Sequence, residues 1–228
     1  MAFLSSNFKI NVFLCVLCAF ARKFPVMNNE FVQALKKHQS AFDLNLPEEK
    51  FHALAEFYEL VRKHNEILHL VAPCTPEEFA VRHILESLYA AHFLPENTKF
   101  ADVGTGAGLP AVPCLIVRED LHGVLIESKL KKANFLEEVL AKCGLKARAE
   151  ILNRQFEELE KPDVSYITCR ALDKFSKKLP KLLKWSDNSS FLFFGGNALR
   201  EELEKLGVNF EEKLLPMSEQ RYLFISRK

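Results

Sequence analysis

At Lys99 the hydrophobic period of this chain changes, and that change limits the fold more than any other feature of its 228 residues. Beyond it, short β-type runs alternate with helical segments. The runs are Phe100–Val103, Val124–Glu127, Glu150–Leu152, Val164–Cys169, Phe191–Phe194, Phe210–Leu215 and Tyr222–Ser226. Helical patterns fall near Pro113–Val117, Lys131–Cys143, Asp173–Lys184 and Ala198–Leu206. Strands that alternate with helices form a parallel sheet covered on both faces, an α/β doubly wound fold. Only "PMSEQR" separates the last two runs, too short for a crossover helix, so they are expected to end the sheet as an antiparallel pair.

Ahead of Lys99 the period is helical. Phe51, Leu54, Ala55, Tyr58 and Val61 lie at helix spacing, after Pro47-Glu48-Glu49, a good first turn. Thr75 reads as an N-cap before Pro76-Glu77-Glu78. The expected division is a leader or over-extended start over residues 1–26, a helical cap over 27–97, and a sheet domain over 98–228. Met27 opens a stretch that reads like a natural amino terminus. The leader's apolar run, Ile10–Ala21, has roughly half the length a membrane span needs, so no membrane association is expected.

Composition narrows the partners. The formal charge of +1 gives no global attraction for nucleic acid, so such a surface must come from local clusters. Of six cysteines only Cys15 and Cys18 form a CxxC pair, with no second pair to complete a zinc site. His64 and His69 are five apart, off the same-face spacing of a helical metal pair. No metal is expected, and the thiols fit a reduced, cytoplasmic protein.

The most informative stretch is "KFADVGTGAGLPAVP", Lys99 to Pro113. Gly104, Gly106 and Gly108 follow the first strand, where an open α/β sheet binds its ligands. Glu127 ends the second strand, where an acid accepts hydrogen bonds from ribose hydroxyls. The spacing is GxGxG, and prolines follow in place of a long helix aimed at a pyrophosphate. Asp102, ahead of the loop, suits a cationic ligand better than a phosphate. S-adenosylmethionine has a ribose, positive amino and sulfonium groups and no phosphate, and is the expected cofactor. A nicotinamide dinucleotide is the alternative.

"ADVGTGAGLPAVP", "VRHILESL", "IESKLKKANFLEEV", "ITCRAL" and "QRYLFISRK" together resemble the glucose-inhibited division protein B family over about Phe51 to Lys228. These are bacterial methyltransferases acting on N7 of one guanine in small-subunit (16S) ribosomal RNA. The resemblance implies a class I methyltransferase: a Rossmann-like seven-stranded sheet with a terminal antiparallel strand and an N-terminal helical cap. It implies cofactor contacts at Asp102, Gly104, Thr105, Gly106, Gly108, Leu109 and Glu127, and adenine contacts at Phe156 and Glu157. Arg170 matches the arginine that faces the target guanine, within reach of the cofactor. His83 and Ser87 match polar residues where the cap meets the loop.

The chain departs from the family pattern at three places. His69-Leu70-Val71 replaces Asn-Leu-Thr, Glu86 replaces an aspartate, and Gly195 stands where the family has lysine. The last change removes a cation from the expected target pocket.

Guanine N7 is already nucleophilic, so catalysis is expected to be mainly positioning. Arg170 is then a recognition group for guanine O6 or a phosphate, not a proton carrier. Its structural alternative is a surface ion pair with Asp173 or Asp163. Lys174, Lys177, Lys178, Lys181 and Lys184, with Lys129, Lys131 and Lys132, form a candidate basic rim for RNA. The expected partner is 16S ribosomal RNA or the small subunit, engaged by a monomer. A methyltransferase for another RNA or a small molecule, and a non-catalytic nucleotide-binding module, are the competing functions.

Overall fold

The computed structural model describes residues 29–170 and 175–228. The leader with Cys15 and Cys18 lies outside the described residues, as do Asp173 and Lys174.

The chain opens with helices α1 (Asn29–His38) and α2 (Glu48–Leu68). Phe31 stacks on Tyr58 with ring centroids 4.4 Å apart, and Tyr58 meets Phe79 at 4.9 Å. α2 ends at His69, whose φ is 48°. Beyond it the Asn65 side chain accepts from the Val71 amide at 2.9 Å and donates to the Val71 carbonyl at 3.1 Å. That clamp fixes the direction of Leu70, Val71 and Ala72. Thr75 then forms a reciprocal cap with Glu78, 3.1 Å and 2.8 Å, and starts α3 (Pro76–Phe79). The helix widens into a six-residue π turn, Ala80–Leu85, before resuming as α4 (Glu86–Ala91). A π turn is rare and places its residues on a different face from a regular α-helix.

The sheet follows: β1 (Lys99–Val103), β2 (His122–Ile126), β3 (Ala149–Leu152), β4 (Tyr166–Arg170), β5 (Ser190–Gly195), β6 (Glu211–Leu214) and β7 (Tyr222–Ser226). Their spatial order is β3-β2-β1-β4-β5-β7-β6. β1 to β5 pair in parallel, whereas β7 inserts between β5 and β6 and runs antiparallel to both. The crossovers are α5 (Ala111–Val117), α6 (Leu130–Lys142), α7 (Phe175–Ser186) and α8 (Asn197–Lys205).

Both faces of the central strands are buried, which is why β2, β5 and β7 read as apolar runs, whereas the edge strands β3 and β6 are partly exposed. On one face Phe100, Leu192 and Leu223 share a core with α5, α6 and the cap residues Phe51, Leu54 and Ile84. On the other, Phe191 stacks on Phe193 at 4.3 Å above Leu179, Leu182 and Leu203. Order reverses between β1 and β4, so the carboxyl ends of those two strands open a crevice. Among the described residues no helix is long and apolar enough to cross a membrane, and no group of three metal-binding side chains forms.

Candidate active site at the sheet's switch point

The loop after β1 is built mainly from backbone. Gly104 and Thr105 donate their amides to the Ile126 carbonyl at 2.9 and 3.3 Å, tying the loop to the end of β2. Gly106 has φ 55°, and an added Cβ would meet nothing nearer than the Gly104 carbonyl at 3.7 Å. It leaves the backbone open to a ligand. Gly108, at φ 86°, has a different task. A Cβ there would come within 2.6 Å of Val112 Cγ2, so the glycine lets the loop close against α5.

Glu127 stands just beyond β2 and is nearly buried. Its Oε2 accepts from the Gly106 amide at 3.0 Å and its Oε1 from the Lys129 amide at 2.8 Å. Asn153 donates to the Glu127 carbonyl at 2.8 Å, which fixes the backbone behind it. Each carboxylate oxygen keeps acceptor capacity for a further donor.

Asp102 lies beneath the loop, fully buried, and does not line the crevice. Thr168 donates to its Oδ1 at 2.8 Å, while Oδ2 has no well-aligned hydrogen bond. Burial pushes this carboxyl up to about 7. The Thr105 and Thr168 hydroxyls and the Ala111 amide oppose the shift in part.

The crevice is a cavity of about 500 Å³. The loop contributes Gly104, Thr105, Gly106, Ala107 and Leu109 to its lining, and the cap contributes Leu70, Val71 and Ala72. Glu127, Ser128, Lys129, Lys132 and Gln155 also line it, as do His83 and Arg170. Burial lowers the pKa of the Lys132 ammonium; Glu127 opposes that shift.

Arg170 ends β4 and is held by residues distant in sequence. Its Nη2 donates to the Arg82 carbonyl at 2.6 Å and to Glu86 Oε2 at 3.0 Å. Glu86 is 0 % exposed, and its Oε1 accepts from Arg221 Nε at 2.7 Å. Among the described residues Arg170 thus shares one buried carboxylate with Arg221, and no pair with Asp163 forms; Asp173 lies outside the described residues. The Arg170 guanidinium lies over the Phe194 ring at 5.3 Å. His83 packs at 5.0 Å from Phe79. Burial, with Arg170, Arg82 and Arg221, pushes its imidazole down to about 3, so it is neutral at physiological pH.

Four of the five buried side-chain polar atoms that lack a hydrogen bond among the described residues belong to this region: Asp102 Oδ2, Thr105 Oγ1, His83 Nδ1 and Arg170 Nη1. Buried polar groups are normally paired, and concentrated exceptions mark a place where a ligand or water completes the set.

Several residues implied by sequence stand elsewhere than expected. Phe156 is 2 % exposed and packs edge-on against Trp185 in the core, with Lys178 over its ring. Glu157 pairs with Lys178 at 3.5 Å. Neither lines the cavity; Gln155, one residue earlier, does. Ser87 is buried and donates its hydroxyl to the His83 carbonyl. Gly195 ends β5 against α8, where an added Cβ would approach Leu199 Cδ2 to 2.5 Å.

A glycine loop after β1, an acid after β2 and a reversed seventh strand define a class I S-adenosylmethionine-dependent methyltransferase. Solved structures share the fold. A SAM-dependent methyltransferase from Aquifex aeolicus has a TM-score of 0.53 at 18% identity, covering 74% of this chain and 96% of that one. The mitomycin 7-O-methyltransferase MmcR has a TM-score of 0.56 at 17% identity, covering 86% and 67%.

The chain belongs to the rRNA small subunit methyltransferase G (GidB) family, whose model matches residues 50–221. Ribosomal RNA small subunit methyltransferase G of Aliarcobacter butzleri is 35% identical over 181 residues, 78% of this chain and 91% of that protein. The protein of that name from Yersinia enterocolitica is 35% identical over 146 residues, 64% and 68% of the two.

Proposed function

We propose that this protein transfers a methyl group from S-adenosylmethionine to N7 of a guanine in small-subunit (16S) ribosomal RNA. The observation that carries the reading is the pairing, around one cavity, of the Glu127 carboxylate on the loop amides with the guanidinium of Arg170. The first suits an adenosyl group and the second a guanine or a phosphate.

The bound cofactor supplies a methyl on a sulfonium sulfur, which the N7 lone pair can displace in line, leaving the bonding pair on sulfur. The chain's residues bind and orient. Glu127 accepts the ribose hydroxyls on its remaining lone pairs, and the open backbone at Gly106 lets the ligand approach closely. Gln155 takes the adenine edge in place of Phe156, whose ring is committed to the core. Asp102 acts from below by holding Thr168 and the loop, not by touching the ligand. Arg170 donates to guanine O6 or to a neighbouring phosphate. No base is needed, because N7 carries no proton, and neutral His83 adds no charge to oppose a cationic product.

Lys129, Lys132 and Lys178 border the cavity, and Lys131, Lys177, Lys181 and Lys184 are exposed nearby in sequence. They would contact phosphates on either side of the target nucleotide, a salt-dependent interaction. The protein would act as a monomer in the cytoplasm, without a metal ion.

Transfer of labelled methyl to isolated small subunits and to naked 16S RNA, with the product position mapped, tests this. Guanine N7 modification supports it. Label at another atom or another RNA would favour the second reading, which Gly195 keeps open by offering no cation at the end of β5. Binding of adenosylhomocysteine without transfer to any RNA would leave a non-catalytic module.

A further inference from the structure

The corner around Arg170 contains more charge than recognition of one base requires. Glu86 is fully buried, and a buried carboxylate is costly unless each oxygen is paired. Here Oε2 takes Arg170 Nη2 at 3.0 Å and Oε1 takes Arg221 Nε at 2.7 Å. The three side chains come from α4, β4 and the approach to β7, and they carry a net charge of one positive unit. Arg82, exposed on the π turn, adds another cation. The charged groups that act on Arg170 are one acid, Glu86, and two like charges, Arg221 and Arg82. Of these four, Arg170 lines the same cavity as the Gly104–Gly106 loop, and Glu86 and Arg221 stand behind it.

Nothing in anion binding calls for a buried carboxylate there, since Arg170 and Arg221 alone would attract a phosphate more strongly. The carboxylate makes sense where positive charge must be tolerated. In the proposed reaction a unit of positive charge passes from the sulfur of the donor to the purine ring, and no proton is released to offset it. We propose that Glu86 is a positioning residue with two tasks: it aims Arg170 at the acceptor base, and its charge keeps the cavity hospitable to a cationic donor and a cationic product. This rests on the methyltransferase reading above.

The test compares a cation with its neutral counterpart. S-adenosylmethionine carries the sulfonium charge, and S-adenosylhomocysteine lacks it. Calorimetric dissociation constants are measured for both ligands with wild type, Glu86→Gln, Glu86→Asp and Arg221→Met. Loss of the carboxylate charge should raise the ratio of the adenosylmethionine to the adenosylhomocysteine constant by about three- to tenfold. Loss of the Arg221 charge should lower it by a similar factor. Glu86→Asp keeps the charge on a shorter stem, so its ratio should stay at the wild-type value while methyl transfer slows.

A merely structural role would weaken both ligands alike. A ratio that stays constant in Glu86→Gln and Arg221→Met, or moves the same way in both, overturns the proposal. Should Glu86→Gln fail to fold in a thermal melt, Arg82→Met and Arg221→Met carry the test: both must lower the ratio, and a rise or no change overturns it. Wild-type protein that binds neither ligand and transfers no methyl defeats the methyltransferase reading together with this inference. Binding of both ligands with a flat ratio defeats the inference alone.

Discussion

The glycine loop and the Arg170 corner face the same cavity but are built on opposite plans. The loop holds its shape with amides from residues 104–109 and one carboxylate twenty-one positions from Gly106, with Glu127 Oε2 at 3.0 Å from that amide. The corner is made of side chains. Glu86 pairs with Arg170 across 84 positions and with Arg221 across 135. Backbone scaffolding tolerates many side chains provided the glycines stay, whereas a side-chain cluster fails when one member changes. The loop should therefore govern binding of the adenosyl group, and the corner should govern transfer and the response to the donor's charge.

The sharpest break of that division is Arg170→Ala. Methyl transfer should fall by about 10²–10³ in kcat/KM, as expected for a lost charge-assisted contact made at the reacting base. Adenosylhomocysteine affinity should stay within about threefold, and calorimetry checks it. An equal loss in both would merge the two regions into one binding site. Glu127→Gln should do the reverse. It removes the charge from the ribose and Gly106 contacts and should weaken adenosylhomocysteine by about tenfold to a hundredfold.

Stability separates the loop from an ordinary turn, the one at Gly144 after α6. Gly108→Ala must place a methyl 2.6 Å from Val112 Cγ2 at φ 86° and should cost about 2–3 kcal/mol in urea denaturation. Gly144→Ala, at φ 69° with nothing within 4 Å, meets only the conformational strain and should cost about 1 kcal/mol.

A further break comes from beneath the loop and concerns pH. Asp102 has a carboxyl pushed from 3.8 up to about 7 in the folded protein. The fold thus favours the protonated form. Its stabilising contribution is complete below about pH 4, declines as the unfolded chain ionises first, and is gone by about pH 7. The stability difference between wild type and Asp102→Asn, followed by urea titration from pH 4 to 8, should shift against the wild type over that window and then level off. A flat difference would mean the carboxyl is ionised throughout.

The same contrast explains what could be read from the sequence. The sheet, its reversed last strand and the loop's place at the switch point follow from local periods and from glycines a few residues apart. The Thr75 cap was legible for the same reason, since its partner is three residues away. The Arg170 cluster was not, because no local pattern links positions 86, 170 and 221. Nor could the choice between Gln155 and Phe156 be read. Adjacent residues diverge in direction, and the phenylalanine is claimed by Trp185, twenty-nine residues on. Asp102 looked like a ligand group because it precedes the glycines, but the strand's alternation turns it inward to Thr168.

The wide turn at Ala80–Leu85 uses one residue more than a regular helix to cover about the same rotation. It therefore acts as slack: a single-residue deletion there is taken up by tightening the turn to a regular helix, which leaves Glu86 beside its two arginines. The same deletion within Glu86–Ala91 has no wide turn to absorb it and would rotate everything after it by about 100°. A frame-preserving loss of one codon should therefore disable the enzyme more completely in the second segment than in the first.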